Sequence, residues 1–466
     1  MVIQSPKDQD TKTDNPDLLA ELRRVFASGR TRSLQWRLDQ LQGIERLLAE
    51  RETEIAAALQ EDLGRSALEA WLGDTNATKG EAAYARTHLK KWMKHRRMSL
   101  PLNQLPARGW IQYDPLGVVL IIGPWNYPVY LSLSPLVAAV AAGNCAVIKP
   151  SELAPATSAL LARLVGEYLD PEAVRVVEGD GQTTQDLLAQ GFDHALFTGG
   201  TEIGKKIMAA AAPTLTPVTL ELGGKSPVIV AADADLDVTA RRIAWVKLLN
   251  SGQTCIAPDY VLADRSIADE LVSKIVANIA EFRSGDADPS LRIVNERQFD
   301  RLVALISATD GTVVTGGGSD RATLRIEPTV IVDPSPADPV MAGEIFGPVL
   351  PILTIDSAEA AVARVNAGPK PLALYVFTSS PQLGRDLIDR IPSGGAVINH
   401  VAMHCLVPQM PFGGVGASGM GAYHGRWGFE TLSHRRAVLS KPAKPDPRFV
   451  YPPYTDRTIK LIRKLF

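Results

Sequence analysis

A chain of 466 residues, 45% hydrophobic and 21% charged, has the composition of an ordinary soluble globular protein, with roughly two to four structural units. A formal net charge of -2 supplies no electrostatic reason to bind nucleic acid or an acidic polymer. Three widely spaced cysteines, Cys145, Cys255 and Cys405, argue against a disulfide framework or a zinc knuckle; no metal site is expected, and a reducing cytosol fits best.

The opening MVIQSPKDQDTKTDNPD is polar, carries both signs of charge and lacks an apolar h-region, so it reads as a leader and not as a secretory signal. From about Pro16 to Met98 apolar residues recur at three-to-four spacing with charges between them, which predicts a helical scaffold. RMSLPLNQLPARGWIQYDPLG then breaks into extended, proline-punctuated segments, an arm or hairpin. The most apolar stretch, Leu116 to Ile148, is interrupted by Pro124, Pro128, Pro135 and several glycines. A bilayer-spanning helix wants about 20 unbroken apolar residues, so this stretch is a set of short buried elements.

Strand and helix patterns now alternate: GVVLIIG, SPLVAAVAAGN, CAVIKP, PATSALLARLVGEYL, VRVVEG, TTQDLLAQG, HALFTGG, TEIGKKIMAAAA and PVTLELGG. Continuously apolar strands in such an alternation mean a parallel sheet covered on both faces. Its ligands are expected beyond the carboxyl ends of the strands. A second set follows: SPVIVAA, TARRIAWVKLLN, LPILTI, SAEAAVARVNA, LALYVFTSS, PQLGRDLIDRI and GGAVINH. The prediction is two α/β units with a joint near ELGGKSP.

The common dinucleotide signature G-x-G-x-x-G is absent. FTGGTEIGKK places Gly199 and Gly204 at a strand-to-helix corner, where a helix amino terminus favours an anion, although a plain helix cap looks the same. KPSE ends a strand with Lys149 and Glu152, a cation and a carboxylate able to hold ribose hydroxyls or to be an ordinary solvated strand end. GPWNYP sets Asn126 in a rigid turn, where its amide can face a developing oxyanion or simply serve the turn. LELGGKSP ends a strand at Glu221, a general base or a salt-bridged glutamate. Glu344 and Phe346 precede a Gly-Pro turn, and PFGGVGASGMG must be an irregular, closely approached loop. NSGQTC carries Cys255. A lone cysteine is usually a small buried hydrophobe; as a nucleophile it needs its thiolate favoured, for which a helix amino terminus is the expected device.

Taken together, GPWNYP, KPSE, FTGGTEIG, LELGGKSP, NSGQTCIAPDY, EIFGPVLP and PFGGVGASGMGAYHG resemble the NAD(P)-dependent aldehyde dehydrogenase superfamily. They stand in the family's order from about Gly117 to His434, and LELGGKSP and GQTC, with Glu221 and Cys255 at a separation of 34, are specific to it. WNYP, GQTCIAPDY, SGMGAYHG, SHRRAVL and the tail YPPYTDRTIKLIRKLF look most like the class 3 branch of fatty and aromatic aldehyde dehydrogenases. The resemblance implies an α/β fold with a Rossmann-type cofactor domain (1–98 and 119–222), a catalytic domain (223–415), and an oligomerisation arm with C-terminal tail (99–118 and 416–466). It implies Cys255 as nucleophile, Glu221 as base and Asn126 with the Cys255 N–H as oxyanion hole. Lys149 and Glu152 match adenosine-ribose contacts, Gly199 and Gly204 the cofactor phosphates, and Glu344 and Phe346 the nicotinamide ribose. Two departures stand out: Gly343 replaces the first glutamate of the usual Glu-Glu-Ile-Phe-Gly-Pro, and Gly200 stands where relatives often have Ser or Asn.

The implied reaction oxidises an apolar aldehyde, aliphatic, aromatic or polyene, to the acid through a cysteine thioester. The rivals are an acylating enzyme, against which Glu221 argues, and a non-enzymatic NAD-binding protein. Tyr127 and His404 are expected to line the substrate entrance. Glu152 should disfavour a 2′-phosphate, so NAD is slightly favoured over NADP. A cytoplasmic homodimer is expected, with the arm and SHRRAVLSK pairing as strands across a subunit boundary. In the tail, Asp456 is expected to cap a helix whose Ile459, Ile462 and Leu465 dock on the protein itself or its partner, leaving at most weak peripheral membrane association.

Overall fold

The computed structural model describes residues 17–284 and 292–465; the polar leader expected at the start lies almost wholly outside the described residues. The periodic first stretch forms the helices Leu18–Ala27, Leu34–Glu50, Glu52–Leu63 and Asn76–Trp92. Ser33 starts the second by accepting from the Trp36 N–H at 3.1 Å, and its Leu41, Ile44, Leu47 and Leu48 face the core. Between the third and fourth lie a short helix Ala67–Ala70, closed by a Ser66–Glu69 capping box, and one π-helical turn, Trp71–Thr75.

The arm contributes β1 (Arg96–Met98) and β2 (Arg108–Pro115). The first alternation forms β3 (Val118–Ile122), β4 (Cys145–Lys149), β5 (Val174–Val176), β6 (His194–Thr198) and β7 (Val218–Glu221), all parallel. The chain runs from β3 outward to β5, then returns to place β6 on the other side of β3. That reversal opens a crevice beyond the carboxyl ends of β3 and β6.

Residues 222–226 carry the chain straight into the second sheet. Its strands are β8 (Pro227–Val230), β9 (Tyr260–Asp264), β10 (Thr312–Thr315), then, after a small hairpin of β11 (Ser319–Asp320) and β12 (Arg325–Ile326), β13 (Thr329–Val332), β14 (Val349–Ile355), β15 (Ala373–Phe377) and β16 (Gly395–Ile398). The order is β10-β13-β14-β9-β8-β15-β16, parallel except for β10.

Two expectations are corrected at the end of the chain. β17 (Gly419–Met420) pairs with β7, Gly419 opposite Glu221, so residues 419–420 close the first sheet and do not belong with the arm. β18 (Ser433–Ser440) pairs antiparallel with β2 along its whole length within the same chain, not across a subunit boundary. The three-stranded order β1-β2-β18 leaves the outer edge of β18 open in the chain.

Candidate active site

Cys255 follows the helix Leu236–Leu248 and a tight turn in which Asn250 and Ser251 take left-handed backbone angles, φ 52° and 51°. Gly252 follows at φ 70°, and a Cβ there would run into the Gly347 carbonyl, so only glycine fits. Gln253 is wholly buried and pins the turn. Its Nε2 donates to the Asn250 carbonyl at 3.1 Å, and its Oε1 accepts from the Val294 N–H at 3.0 Å. Cys255 does not itself open a helix, since helical turns end just before it and the next element is β9; the helix amino terminus nearby is that of Tyr130–Ala142, whose Tyr130 lines the same cavity. Burial pushes the Cys255 thiol well up, and the neighbouring Glu344 carboxylate, the Cys405 thiol and the Glu221 carboxylate push it further. The resting thiol is therefore protonated, and a nucleophilic role would require a proton acceptor beside it.

Glu221 sits at the last position of β7, 3% exposed. Neither of its carboxylate oxygens has a hydrogen-bond partner among the described residues. Desolvation raises its pKa well above the ordinary glutamate range, which makes its anion a strong proton acceptor.

Asn126 follows β3 and is buried; its Nδ2 donates to the Gln253 carbonyl at 3.1 Å, two residues before Cys255. The adjacent Tyr127 hydroxyl lies 2.9 Å from Thr254 Oγ1. The GPWNYP turn and the GQTC loop thus meet directly, with Cys255, Tyr127, Tyr130, Trp245, Phe412 and Tyr423 on the wall of one cavity of about 320 Å³. The Tyr130 hydroxyl donates to the Cys405 carbonyl at 3.2 Å and lies 3.4 Å from Nε2 of His424, whose Nδ1 faces Glu81.

His404 is not on this wall, contrary to expectation. The short 3-10 turn Met403–Leu406 directs Met403, Cys405 and Leu406 to the cavity, while the His404 ring packs between Tyr375 and Phe412 and against Gly395. Burial lowers its pKa to about 4, so the ring is neutral. Tyr423 and Cys405 stand within or beside motifs that sequence reasoning singles out, but nothing in the sequence marks Arg65, which also lines the cavity.

The remaining predicted residues gather around the β3/β6 crevice. Lys149 ends β4, buried, with its Nζ 2.7 Å from Glu152 Oε2 on a half-exposed side chain. Gly199 and Gly200 lead into the helix Thr201–Ala211, whose amino terminus has no side-chain cap and where a Cβ on Gly200 would meet open space. Gly204 lets that helix close on Leu222. The Glu344 carboxyl lies against the backbone of Gly223, is raised by burial to about 8, and takes the Gly224 N–H. Phe346 adopts φ 51°, strained for an aromatic residue, and meets Trp125 edge-on at 5.5 Å. Gly343 has nothing within 4 Å of where a Cβ would stand, so a side chain there would meet open space. An uncapped helix amino terminus, a buried lysine with a carboxylate and a rimmed crevice at the switch point fit a dinucleotide.

Known proteins resemble this chain along most of its length. Residues 7–438 match the model of the aldehyde dehydrogenase family. The rat (Rattus norvegicus) aldehyde dehydrogenase family 3 member A2 is 45% identical over 94% of this chain and 91% of its own length. The rat dimeric, NADP-preferring aldehyde dehydrogenase is 45% identical over 91% of this chain and 94% of its own. A substrate-bound structure of Staphylococcus aureus AldH superposes with a TM-score of 0.93 at 38% identity, covering 97% of this chain and 99% of that one.

Proposed function

The chain belongs to the aldehyde dehydrogenase family, and from that premise we propose that it oxidises apolar aldehydes to carboxylic acids with NAD or NADP through a thioester on Cys255. The observation that carries the residue assignment is Cys255 on the wall of an apolar cavity, with the Asn126 amide bonded to the Gln253 carbonyl of the same loop and the unpartnered, buried Glu221 carboxylate near enough to push the Cys255 thiol up.

In this mechanism the Cys255 proton passes to a base, for which the desolvated Glu221 carboxylate is suited, as sulfur bonds to the aldehyde carbon. The carbonyl oxygen becomes an oxyanion. The second N–H of the Asn126 amide, the one not donated to Gln253, stabilises it together with the Cys255 N–H. The bound cofactor supplies the acceptor for the hydride that the tetrahedral carbon gives up; Lys149, Glu152, Gly199, Gly204, Glu344 and Phe346 would hold it. The carbonyl reforms as a thioester. Glu221, once it has lost the thiol proton to solvent, takes a proton from water. The new hydroxyl bonds to the acyl carbon, sulfur leaves and takes back the proton held on Glu221, and the acid departs. The aromatic wall that includes Tyr127 suits an apolar chain or ring.

We assign the first sheet with its helices to the cofactor domain and the second to the catalytic domain. The open edge of β18 supports assembly as a homodimer, since an uncovered edge strand invites pairing. A panel of purified aliphatic and aromatic aldehydes, assayed with each cofactor and with product identification, tests the reading. Equal yields of reduced cofactor and free acid are expected. No cofactor reduction, or an acyl product formed only when coenzyme A is added, overturns it.

A further inference from the structure

Behind the Asn126 turn lies a charged pair that the reaction does not use directly. Arg65 and Asp74 are 1% and 0% exposed in their side chains and bonded to each other. Burying two charges is costly, and an apolar pair of the same size often serves stability as well or better. This pair has backbone and side-chain partners that an apolar pair could not have. Asp74 Oδ1 accepts from the N–H groups of Val129 and Tyr130 at 3.0 and 2.9 Å, where the helix Tyr130–Ala142 begins. Arg65 Nη2 donates to the Asn126 carbonyl, and its Nε lies 3.3 Å from Oδ1 of Asn250. Asn250 Nδ2 in turn donates to the carbonyls of both Asn126 and Gln253, each at 3.0 Å.

The pair therefore holds both ends of the 126–130 segment and, through Asn250, the loop that carries Cys255. The Tyr127 ring is packed between its parts. The Arg65 guanidinium lies 4.2 Å from the ring centroid, and the other contact is Gly73, where a Cβ would come within 2.8 Å of the ring. Gly73 and Asp74 both belong to the π-helical turn Trp71–Thr75, an irregularity that places the carboxylate where a regular helix would not.

We propose that Arg65, oriented by Asp74, is a positioning residue for the acylation step: it fixes the Asn126 main chain, and with it the Asn126 amide, against the Cys255 loop. This rests on the reading of Asn126 as the oxyanion donor. The carbonyl of Asn126 is held by two donors and its side chain by the Gln253 carbonyl, so the free amide N–H has one direction left. A lysine cannot reproduce the fork that reaches Asp74, Asn126 and Asn250 together.

The test is a double-mutant cycle on single-turnover hydride transfer in the full-length enzyme, read as the burst of reduced cofactor. The variants are Arg65→Lys, Arg65→Met, Asp74→Asn and Asn126→Ala. The Arg65 and Asp74 variants are expected to lose roughly 10- to 100-fold in the hydride-transfer rate, the scale for a misplaced reacting group. The aldehyde KM should stay within about threefold, because only transition-state stabilisation is lost. In an Asn126→Ala background the same changes should cost little more, because the group they position is gone. Should Arg65→Met not fold, Arg65→Lys and Asp74→Asn complete the cycle. Losses that multiply in the double variants, or Arg65 variants with normal hydride transfer, overturn the proposal. If Asn126→Ala itself leaves hydride transfer unchanged, the assignment of Asn126 fails, and that outcome is distinct from normal Arg65 variants beside a slow Asn126→Ala enzyme.

Discussion

Asn126 Nδ2 and the Gln253 carbonyl are joined at 3.1 Å across 127 residues of sequence, so the Asn126 amide and the loop that carries Cys255 form one unit. Asn126→Ala removes a donor and also frees the carbonyl it held. It is expected to lower kcat by roughly 10²–10³, as for other amide oxyanion donors. Steady-state rates of a folded Asn126→Ala enzyme within a few-fold of normal would mean that the Cys255 N–H suffices.

The carboxylate proposed to serve hydrolysis, Glu221, has no hydrogen-bond partner among the described residues, and Gln keeps its shape without its basicity. Glu221→Gln is expected to stall deacylation more than hydride transfer. Mixing enzyme, cofactor and aldehyde should give a burst of reduced cofactor, and mass spectrometry should find an acyl group on Cys255. Equal loss of the burst and of turnover would mean that Glu221 matters chiefly as the acceptor of the Cys255 proton, before deacylation.

The same burial has a stability consequence. Glu221 and Glu344 both have folded pKa values above the ordinary 4.5, Glu344 at about 8. Such groups contribute stability that is fully present below about pH 4.5 and is lost as pH rises through the folded value, because the unfolded chain releases its proton first. Glu221→Gln should therefore raise the melting temperature at pH 8 relative to the parent and have little effect near pH 4. For Glu344→Gln the gain should develop between pH 4.5 and about 8, reduced by the lost Gly224 N–H contact. A shift of the same size at every pH would show that ionisation is not its cause.

Much of this architecture is legible in the amino-acid sequence alone. Strands buried on both faces read as unbroken apolar runs, so GVVLIIG and CAVIKP can be placed as sheet interior. Short motifs around Asn126, Glu221 and Cys255 can be picked out without knowing the fold. The segment from β9 to β13 escapes sequence reasoning because β10, with its TVVT sequence, is largely exposed and the neighbouring strands are short. His404 defeats it because a single 3-10 turn decides which of residues 403–406 face inward. The tail cap lies one residue earlier than expected: Thr455 Oγ1 accepts from the Thr458 N–H at 3.3 Å, and Asp456 is already helical. The Arg65–Asp74 pair has no local signature at all, since its meaning lies in contacts 61 and 185 residues away.

Lys149 and Glu152 form a 2.7 Å ion pair at the end of β4, with the lysine buried and the glutamate half exposed. A carboxylate there disfavours a further negative charge. Glu152→Gln should improve kcat/KM with NADP by roughly tenfold relative to NAD, the scale of one partly screened charge contact. An unchanged NADP/NAD ratio would mean that the 2′-position lies away from Glu152.

The tail makes the last case. The helix Asp456–Leu465 has no buried residue; of the three apolar positions expected to dock it on its own subunit or a partner, Ile459 and Leu465 are 39% and 48% exposed and Ile462 is half-buried, so on its own subunit the helix lies open. Lys460, Arg463 and Lys464 interrupt its apolar positions. No helix among the described residues is long and apolar enough to cross a membrane. So short a basic amphipathic helix has weak affinity for lipid and depends on charge for what it has. Flotation with anionic vesicles should therefore recover little protein at physiological salt and none at high salt, and a chain ending at Tyr454 should behave alike at high salt. Binding that survives high salt and is lost on truncation would make the helix a membrane anchor. Membrane-derived aldehydes would then become the first substrates to assay.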